Sequence, residues 1–515
     1  MRRKRRDYCL NLLCDWLRLL ALPVLALDCR GRRIGERAVN ENPIWSYVEE
    51  AQGRFKTLSD RVWATPETCY AESASVAAHV EELTYQGFEV HEQVAGIPTA
   101  VMGEAGEGGP VIAFLGEFDA LAGLSQQADV FEKAPVQAGA NGHGCGHNLL
   151  GSAAMLAASA VKNWLEATGT PGRVRYYGCP AEEGGAAKAF MVRDGAFDDV
   201  DIAISWHPGS MAGLIRGSSL SNARVDFTFE GRASHAAAAP HLGRSALDAA
   251  ELMSVGINYM REHMPDEARI HHAIIDGGGI SPNVVQAFAK VRYVVRAATA
   301  PEMLALLERV RKVAAGAAMM TETEVSDKVL AAVSNLVYNT ALGDAMQRHL
   351  EALGPPPFTD VDKAYAARFQ ATMSEEDIAE AYRSMGIEEQ ERRALADFVI
   401  PSTAREMDMA GSTDVADVSW VVPTVQLWGA NHAIGTQLHS WQATGQGKSQ
   451  PAIKGMVHAA MVMAATGAEA MTDADLRARA KEDLARRTGP DGYVCPLPEG
   501  AEPPIDEMAP VVVSL

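Results

Sequence analysis

Residues 174–206 read VRYYGCPAEEGGAAKAFMVRDGAFDDVDIAISW. Val174 to Tyr177 and Ile202 to Trp206 are short apolar runs of strand length, and Ala186 to Asp194 between them has helical composition. A strand, a helix and a second strand in one short span predict a parallel pair joined by a crossover. The same rhythm extends toward the N-terminus. Ser75 to Gln86 reads as a helix stopped by Gly87. Phe88 to Val94 and Val111 to Leu115 read as strands, the second continuously apolar and so buried on both faces. Asn148 to Ala167 is an Ala- and Leu-rich helix. The predicted fold class is α/β, a mostly parallel sheet flanked by helices, with ligands expected at the carboxyl ends of the strands.

The rhythm changes after Arg216. Arg224 to Phe229 alternates like a half-exposed strand, and Ser245 to Met264 reads as a long helix. Ile270 to Ile275 and Phe288 to Ala297 read as strands, and Pro301 to Ala318 as a helix with Pro in its first turn. These elements predict an inserted α+β unit over residues 221–324. Helical patterning resumes from Ser326, with a Pro-containing break at Gly354 to Asp362, and runs to about Phe398. Val421 to Trp428 reads as the last strand and Ala452 to Ala465 as an Ala- and Met-rich helix. The expected organisation is a peripheral leader (1–42), a main domain in two pieces (43–220 and 325–470), the inserted unit (221–324), and a charged, Pro-rich peripheral tail (471–515).

The chain has 515 residues, too many for one ordinary core. Its formal charge of -20 makes it a poor partner for a phosphate backbone, so nucleic acid is excluded. Seven scattered cysteines are not a disulfide framework, and a reducing, cytoplasmic setting is expected. The leader is basic from Met1 to Arg6, but Asp15 and Arg18 interrupt any signal-type apolar core. The run Leu19 to Leu27 is far short of the ~20 apolar residues a membrane span needs, and no later stretch reaches that length.

Chemistry-bearing residues gather at strand ends. Asn141 to Gly151 reads NGHGCGHNLLG, a Gly-rich loop opening a helix. His147 stands where a dinucleotide-binding turn needs a third glycine, and Gln442 spoils a phosphate loop near Gly447 to Ser449. Metal is the remaining functional reading, since Cys145 and His147 pair a soft thiolate with an imidazole. By itself a Cys-x-His pair is usually chance. GCPAEEGG places Glu182 and Glu183 just after a buried strand. Adjacent glutamates more often start a solvated helix, but here one could bind metal while the other moves a proton. His207 ends the next strand, and Asp119 in GEFDAL follows another, where a carboxylate can orient a metal-bound imidazole. Four loops offering ligand types together are a stronger signal than any one of them. No Gly-x-Ser-x-Gly elbow supports a serine nucleophile.

GEFDAL, GHGCGHN, PAEEGG, the His-Pro after a strand and SHAAAAPHLGRSALDA together resemble the amidohydrolase branch of the aminoacylase and carboxypeptidase G metallopeptidases. That branch includes hippurate, auxin-conjugate and aminobenzoyl-glutamate hydrolases. Asn148, GSTDVADVSW at 411–420 and the stretch from Leu438 to Trp441 with its following GQGKS look most like the B-type chains of the last group. The resemblance spans about residues 43–472. It implies a zinc-exopeptidase-like catalytic domain with an inserted ferredoxin-like lid and dimerisation domain. By the same resemblance, Cys145, His147, Glu183, His207 and His439 would hold two divalent ions (Zn or Mn). Glu182 would be the general base and Asp119 the orienting carboxylate. His235 would reach a neighbouring subunit's site, and Asn283 and Arg296 would lie near the substrate carboxylate. Glu117 and Asn148 depart from the Asp of hippurate-type members. Asp414 has no assigned role, nor do His143, His241 and His432.

The function implied is metal-dependent hydrolysis of the amide bond of an N-aroyl amino acid of the p-aminobenzoyl-glutamate type. The alternatives are the same chemistry on another acyl amino acid or xenobiotic amide, or a non-catalytic partner subunit. The expected partners are a small acyl amino acid and a second copy of the chain through the lid, with a heteromer beside a homologous subunit as the alternative. No membrane partner is expected.

Overall fold

Strand β3 (Val111–Glu117) is buried along its whole length, which only a strand covered on both faces allows. Its Ile112 and Phe114 pack with Leu149, Ala153 and Leu156 on one face of the sheet. Ala113 and Leu115 pack with Phe190 and Met191 on the other. In the computed structural model, which describes residues 42–389 and 391–508, β3 lies near the middle of a seven-stranded sheet. The other members are β1 (Glu89–Glu92), β2 (Val101–Glu107), β4 (Gly172–Cys179), β5 (Ile202–His207), β6 (Ser210–Leu214) and β11 (Thr424–Ala430). The order is β1-β2-β4-β3-β5-β11-β6. The central four, β4, β3, β5 and β11, run parallel, and the flanking β1, β2 and β6 pair antiparallel.

Two long helices, His147–Thr168 and Gln450–Thr472, pack together against one face of this sheet. Their small residues permit the approach. A Cβ at Gly151 would lie 2.5 Å from the Glu117 carbonyl, and one at Gly467 would lie 2.7 Å from the Phe114 ring.

A second sheet has the order β10-β7-β9-β8, all antiparallel, from β7 (Ser221–Glu230), β8 (Arg269–Asp276), β9 (Phe288–Ala297) and β10 (Glu324–Val333). Helices Ala246–Met260 and Ala300–Thr321 cross between its strands, giving a βαββαβ order. Strict alternation of buried and half-buried residues along β9 is the mark of a sheet covered on one side.

Several expectations are corrected. Residues from Ser326 form β10, not helix, because Val325 to Val333 register against β7. This sheet therefore continues past residue 324, the expected end of the inserted unit. The long helix expected to Met264 ends at Met260 in a short 3-10 turn. Strands β2 and β6 lacked a sequence signal strong enough to assign. The segment from Met471 is not peripheral through residue 508. Helix Ala474–Thr488 packs on helix Thr340–Leu353, Tyr493 donates to Asp417 Oδ1 at 2.8 Å, and Leu497 is buried. The expected leader at 1–42 lies outside the described residues, apart from Asn42. Among the described residues no helix is long and apolar enough to cross a membrane.

Candidate active site

The carboxyl ends of β3, β4 and β5 deliver Glu117, the Glu182–Glu183 turn and His207 to one place. The loop before helix His147–Thr168 adds Cys145 and His147, and the loop after β11 adds His439. Hydrogen bonds lock these loops together, His439 N donating to the Gly144 carbonyl at 2.8 Å. The turn is equally fixed: Gly185 N and Ala186 N donate to Ala181 O, and Ala181 N donates to Glu72 Oε1 at 2.9 Å. Four non-glycine residues around the site, Tyr70, Ala181, Ala186 and His439, have positive φ. Left-handed backbone at such residues costs roughly 1–3 kcal/mol each and persists only where surrounding contacts enforce it.

Three overlapping groups of donor atoms lie within 4.8 Å of one another: Cys145, His147 and His207; Cys145, Glu183 and His439; and Glu117, His147 and Glu182. Both imidazoles are oriented for this. His147 Nδ1 lies 2.8 Å from Asp119 Oδ1 and 3.1 Å from the Asp119 carbonyl, so it carries the proton. His207 Nδ1 likewise donates to the Pro208 carbonyl at 2.8 Å. In the neutral ring each Nε2 then presents its lone pair to the cluster. His147 Nε2 and Glu183 Oε1 are buried with no hydrogen-bond partner. Buried polar atoms are rarely left so, and a cation accounts for both. The donor set of thiolate, imidazole and carboxylate suits Zn and related divalent ions.

The chain's own groups hold protons in the cluster: against the lowering effect of burial, Cys145 and Asp119 keep His147 well above the usual imidazole range. Burial and the neighbouring carboxylates Glu117, Glu183 and Asp414 hold Glu182 well above the usual carboxylate range. Burial pushes the Cys145 thiol up, with Glu183 adding to it. Burial and the nearby His147 lower His207 to about 4, leaving it neutral as a ligand must be. His439, with a side chain 53% exposed, marks the open side.

Beneath the cluster lies a charge network that the motifs did not reveal. Lys188 is fully buried, its Nζ 2.7 Å from Glu117 Oε1 and 2.7 Å from Asp414 Oδ1. Its amide donates to Asp414 Oδ2 at 3.0 Å. The other oxygen of Glu117 lies 3.3 Å from His147 Nε2, which makes Glu117 a ligand candidate. The one available signal was a Lys followed by four apolar residues in the helix Ala187–Arg193. Cys69, with Sγ 3.8 Å from Asp119 Oδ2, carried no signal at all.

The remaining site candidates lie on the second sheet and its loops. Arg296 on β9 donates to Ser412 Oγ at 2.6 Å and lies near enough to Glu182 for their charges to interact. His235 and Asn283, far apart in sequence, are brought side by side. His235 bridges to Val284, and Ala236 N donates to the Asn283 carbonyl at 3.0 Å. Both are exposed, and no hydrogen bond joins either to the cluster among the described residues.

Comparison with known proteins identifies the family and the fold. Over 466 residues the chain is 44% identical to the B-type subunit of p-aminobenzoyl-glutamate hydrolase from Escherichia coli (strain K12), covering 88% of this chain and 97% of that one. It is 31% identical over 330 residues to Xaa-Arg dipeptidase of Mus musculus, covering 60% of this chain and 70% of the relative. A solved Bacillus subtilis structure, described as a dinuclear metal binding peptidase from the M20 family, shares the fold. Its TM-score is 0.50 at 18% identity, over 83% of this chain and 99% of that one. The sequence pattern of Peptidase family M20/M25/M40 matches residues 113–443, the span holding every residue of the cluster, and the chain belongs to that family of amide-bond hydrolases.

Proposed function

We propose that the protein hydrolyses the amide bond of an N-aroyl amino acid such as p-aminobenzoyl-glutamate, using two divalent ions, Zn or Mn, held by Cys145, His147, Glu183, His207 and His439. The observation that carries this reading is the pairing of Glu182 with a buried donor cluster whose His147 Nε2 and Glu183 Oε1 make no hydrogen bond. Cys145 and His147 each belong to two of the three donor groups, so the groups form one continuous cluster that would hold the ions. The ions would lower the pKa of water toward ~7 and polarise the scissile carbonyl.

The chain's own groups supply the rest. Glu182, with its raised proton affinity, takes the proton of the attacking water and returns it to the departing amine. Asp119 keeps His147 in the tautomer that faces the ion. Arg296 holds the substrate carboxylate from the second sheet. His235, exposed beside that sheet, serves a neighbouring subunit's site, and Asn283 next to it lies near the substrate carboxylate. The unit from Ser221 through β10 then acts as lid and dimer surface. Edge strand β8 supports this, since seven of its eight residues are exposed, Ile274 and Ile275 among them. A second copy of the chain covers that edge, and a homologous subunit is the alternative suggested by the name of the Escherichia coli relative. Buried free thiols at Cys69, Cys145 and Cys179 support a reducing, cytoplasmic setting.

The test is Glu182→Gln in metal-loaded protein. Hydrolysis of p-aminobenzoyl-glutamate should fall by at least ~100-fold, the scale of a general base, while metal content stays unchanged. Full activity in the variant would remove Glu182 from its role. A wild-type protein that binds no metal would overturn the mechanism.

A further inference from the structure

Three arginines, Arg224, Arg292 and Arg296, come from paired strands β7 and β9 on one face of the second sheet. Arg292 is satisfied: its guanidinium forks onto Asp226, Nε to Oδ1 at 2.6 Å and Nη2 to Oδ2 at 3.0 Å. The other two are not. Among the described residues neither Arg224 nor Arg296 lies within ion-pair distance of a carboxylate. Arg296 has the Ser412 hydroxyl, and Arg224 Nη2 reaches the Glu183 carbonyl at a long 3.5 Å. Burial lowers the pKa of both guanidiniums, and for Arg296 the proximity of Arg224 adds to it. Glu183 and Asp226 act on Arg224, and Glu182 on Arg296, only from beyond contact, so two like charges that are partly desolvated and in no ion pair are relieved when an anion binds between them.

Their placement defines that anion. Arg224 presses on the turn that carries the glutamates: a Cβ at Gly184 would lie 2.2 Å from its Nη1. With no side chain at Gly184, the guanidinium lies close against the backbone beside Glu183. In the β7–β9 register Asn222 faces Arg296 and Arg224 faces Val294, so the two arginines are diagonal neighbours. Such positions are ~7–8 Å apart, within joint reach of one small ligand.

We propose that Arg224 and Arg296 form a two-carboxylate grip, Arg296 on the α-carboxylate and Arg224 on the side-chain carboxylate, selecting amides of acidic amino acids. This rests on the amidohydrolase reading above and deepens it by naming Arg224 as the residue that distinguishes glutamate from its neutral isostere. A guanidinium matches a carboxylate bidentately, whereas a neutral amide side chain leaves the cation unpaired.

The test uses the metal-loaded full chain in two arms. In the first, calorimetry measures glutarate, a dicarboxylate, against butyrate, its monocarboxylate counterpart. Wild type should bind glutarate at least ~10-fold more tightly. Arg224→Gln should lose about 10- to 100-fold for glutarate, the scale of one charge-assisted contact, and less than ~3-fold for butyrate. Arg224→Lys should recover part of the loss. Equal losses for both ligands, or no wild-type preference, overturn the grip. In the second arm, the kcat/KM ratio for aminobenzoyl-glutamate over aminobenzoyl-glutamine should collapse in Arg224→Gln, mainly through KM. An unchanged ratio overturns the assignment of Arg224. If wild type hydrolyses neither amide, the proposed function fails, and the glutarate arm still decides the arginine pair.

Discussion

Asp119 Oδ1 accepts from His147 Nδ1 at 2.8 Å while Asp119 Oδ2 accepts from Glu183 N at 2.9 Å. One carboxylate thus aims the side chain of one ligand candidate and the backbone of another. Both of its oxygens are acceptors, and the geometry uses both.

Asp119→Asn keeps one acceptor and turns the other into a donor facing either an N–H of Glu183 or the proton of His147. Outer partners of this kind are worth ~10–100-fold in metal affinity, and that loss is the expected result. Chelator competition with Zn measures it. Unchanged affinity would mean that the two ligands are held by packing alone.

Lys188→Met leaves Glu117 and Asp414 buried at full charge without their cation. Breaking a buried pair from one side costs roughly 3–5 kcal/mol, so a large drop in the urea midpoint is expected. Adding Glu117→Gln to Lys188→Met should restore part of that stability. Simple additivity of the two changes would argue against a coupled network.

Acid should weaken the fold through histidines buried in neutral form. His458 is buried, and Nε2 donates to the Gly354 carbonyl at 2.6 Å. Burial lowers its pKa from 6.5 to about 4, so the folded state binds fewer protons than the unfolded one across that window. Its stabilising contribution is complete above pH 6.5 and is lost as pH falls toward 4. His79, lowered by burial to about 4, acts in the same sense. His458→Gln retains a donor without the titration. The loss of stability between pH 7 and pH 5 should shrink by roughly 2 kcal/mol, read from urea unfolding at each pH.

Metal removal is the fourth expectation. Glu117, Glu182 and His147 converge, as do Cys145, Glu183 and His439, and only a cation favours both gatherings at once. Ligands that bind only the native state raise stability by about 2.7 kcal/mol at a hundredfold excess over Kd. Chelation should lower Tm, and Zn or Mn should restore it. A Tm indifferent to chelator would contradict a cation in this cluster.

Much of this protein was legible in the chain alone, and the reason is local. Val111 to Leu115 announces a doubly covered strand by unbroken apolarity, and Phe288 to Ala297 announces its full span by alternation. A Gly-rich loop opening a helix marked Cys145 and His147, and turns after apolar strands marked Glu183 and His207, because ligand loops in α/β sheets follow strand ends. What had no local signature needed the folded chain. Strand β10 carries a sequence that reads as helix, and only the β7 edge gives it a partner. Lys188 meets Asp414 across 226 positions, and Arg224 meets Glu183 across 41. Sequence patterns report which face of an element avoids water, whereas ion pairs, and the arginines left without one, depend on which distant elements are brought into contact.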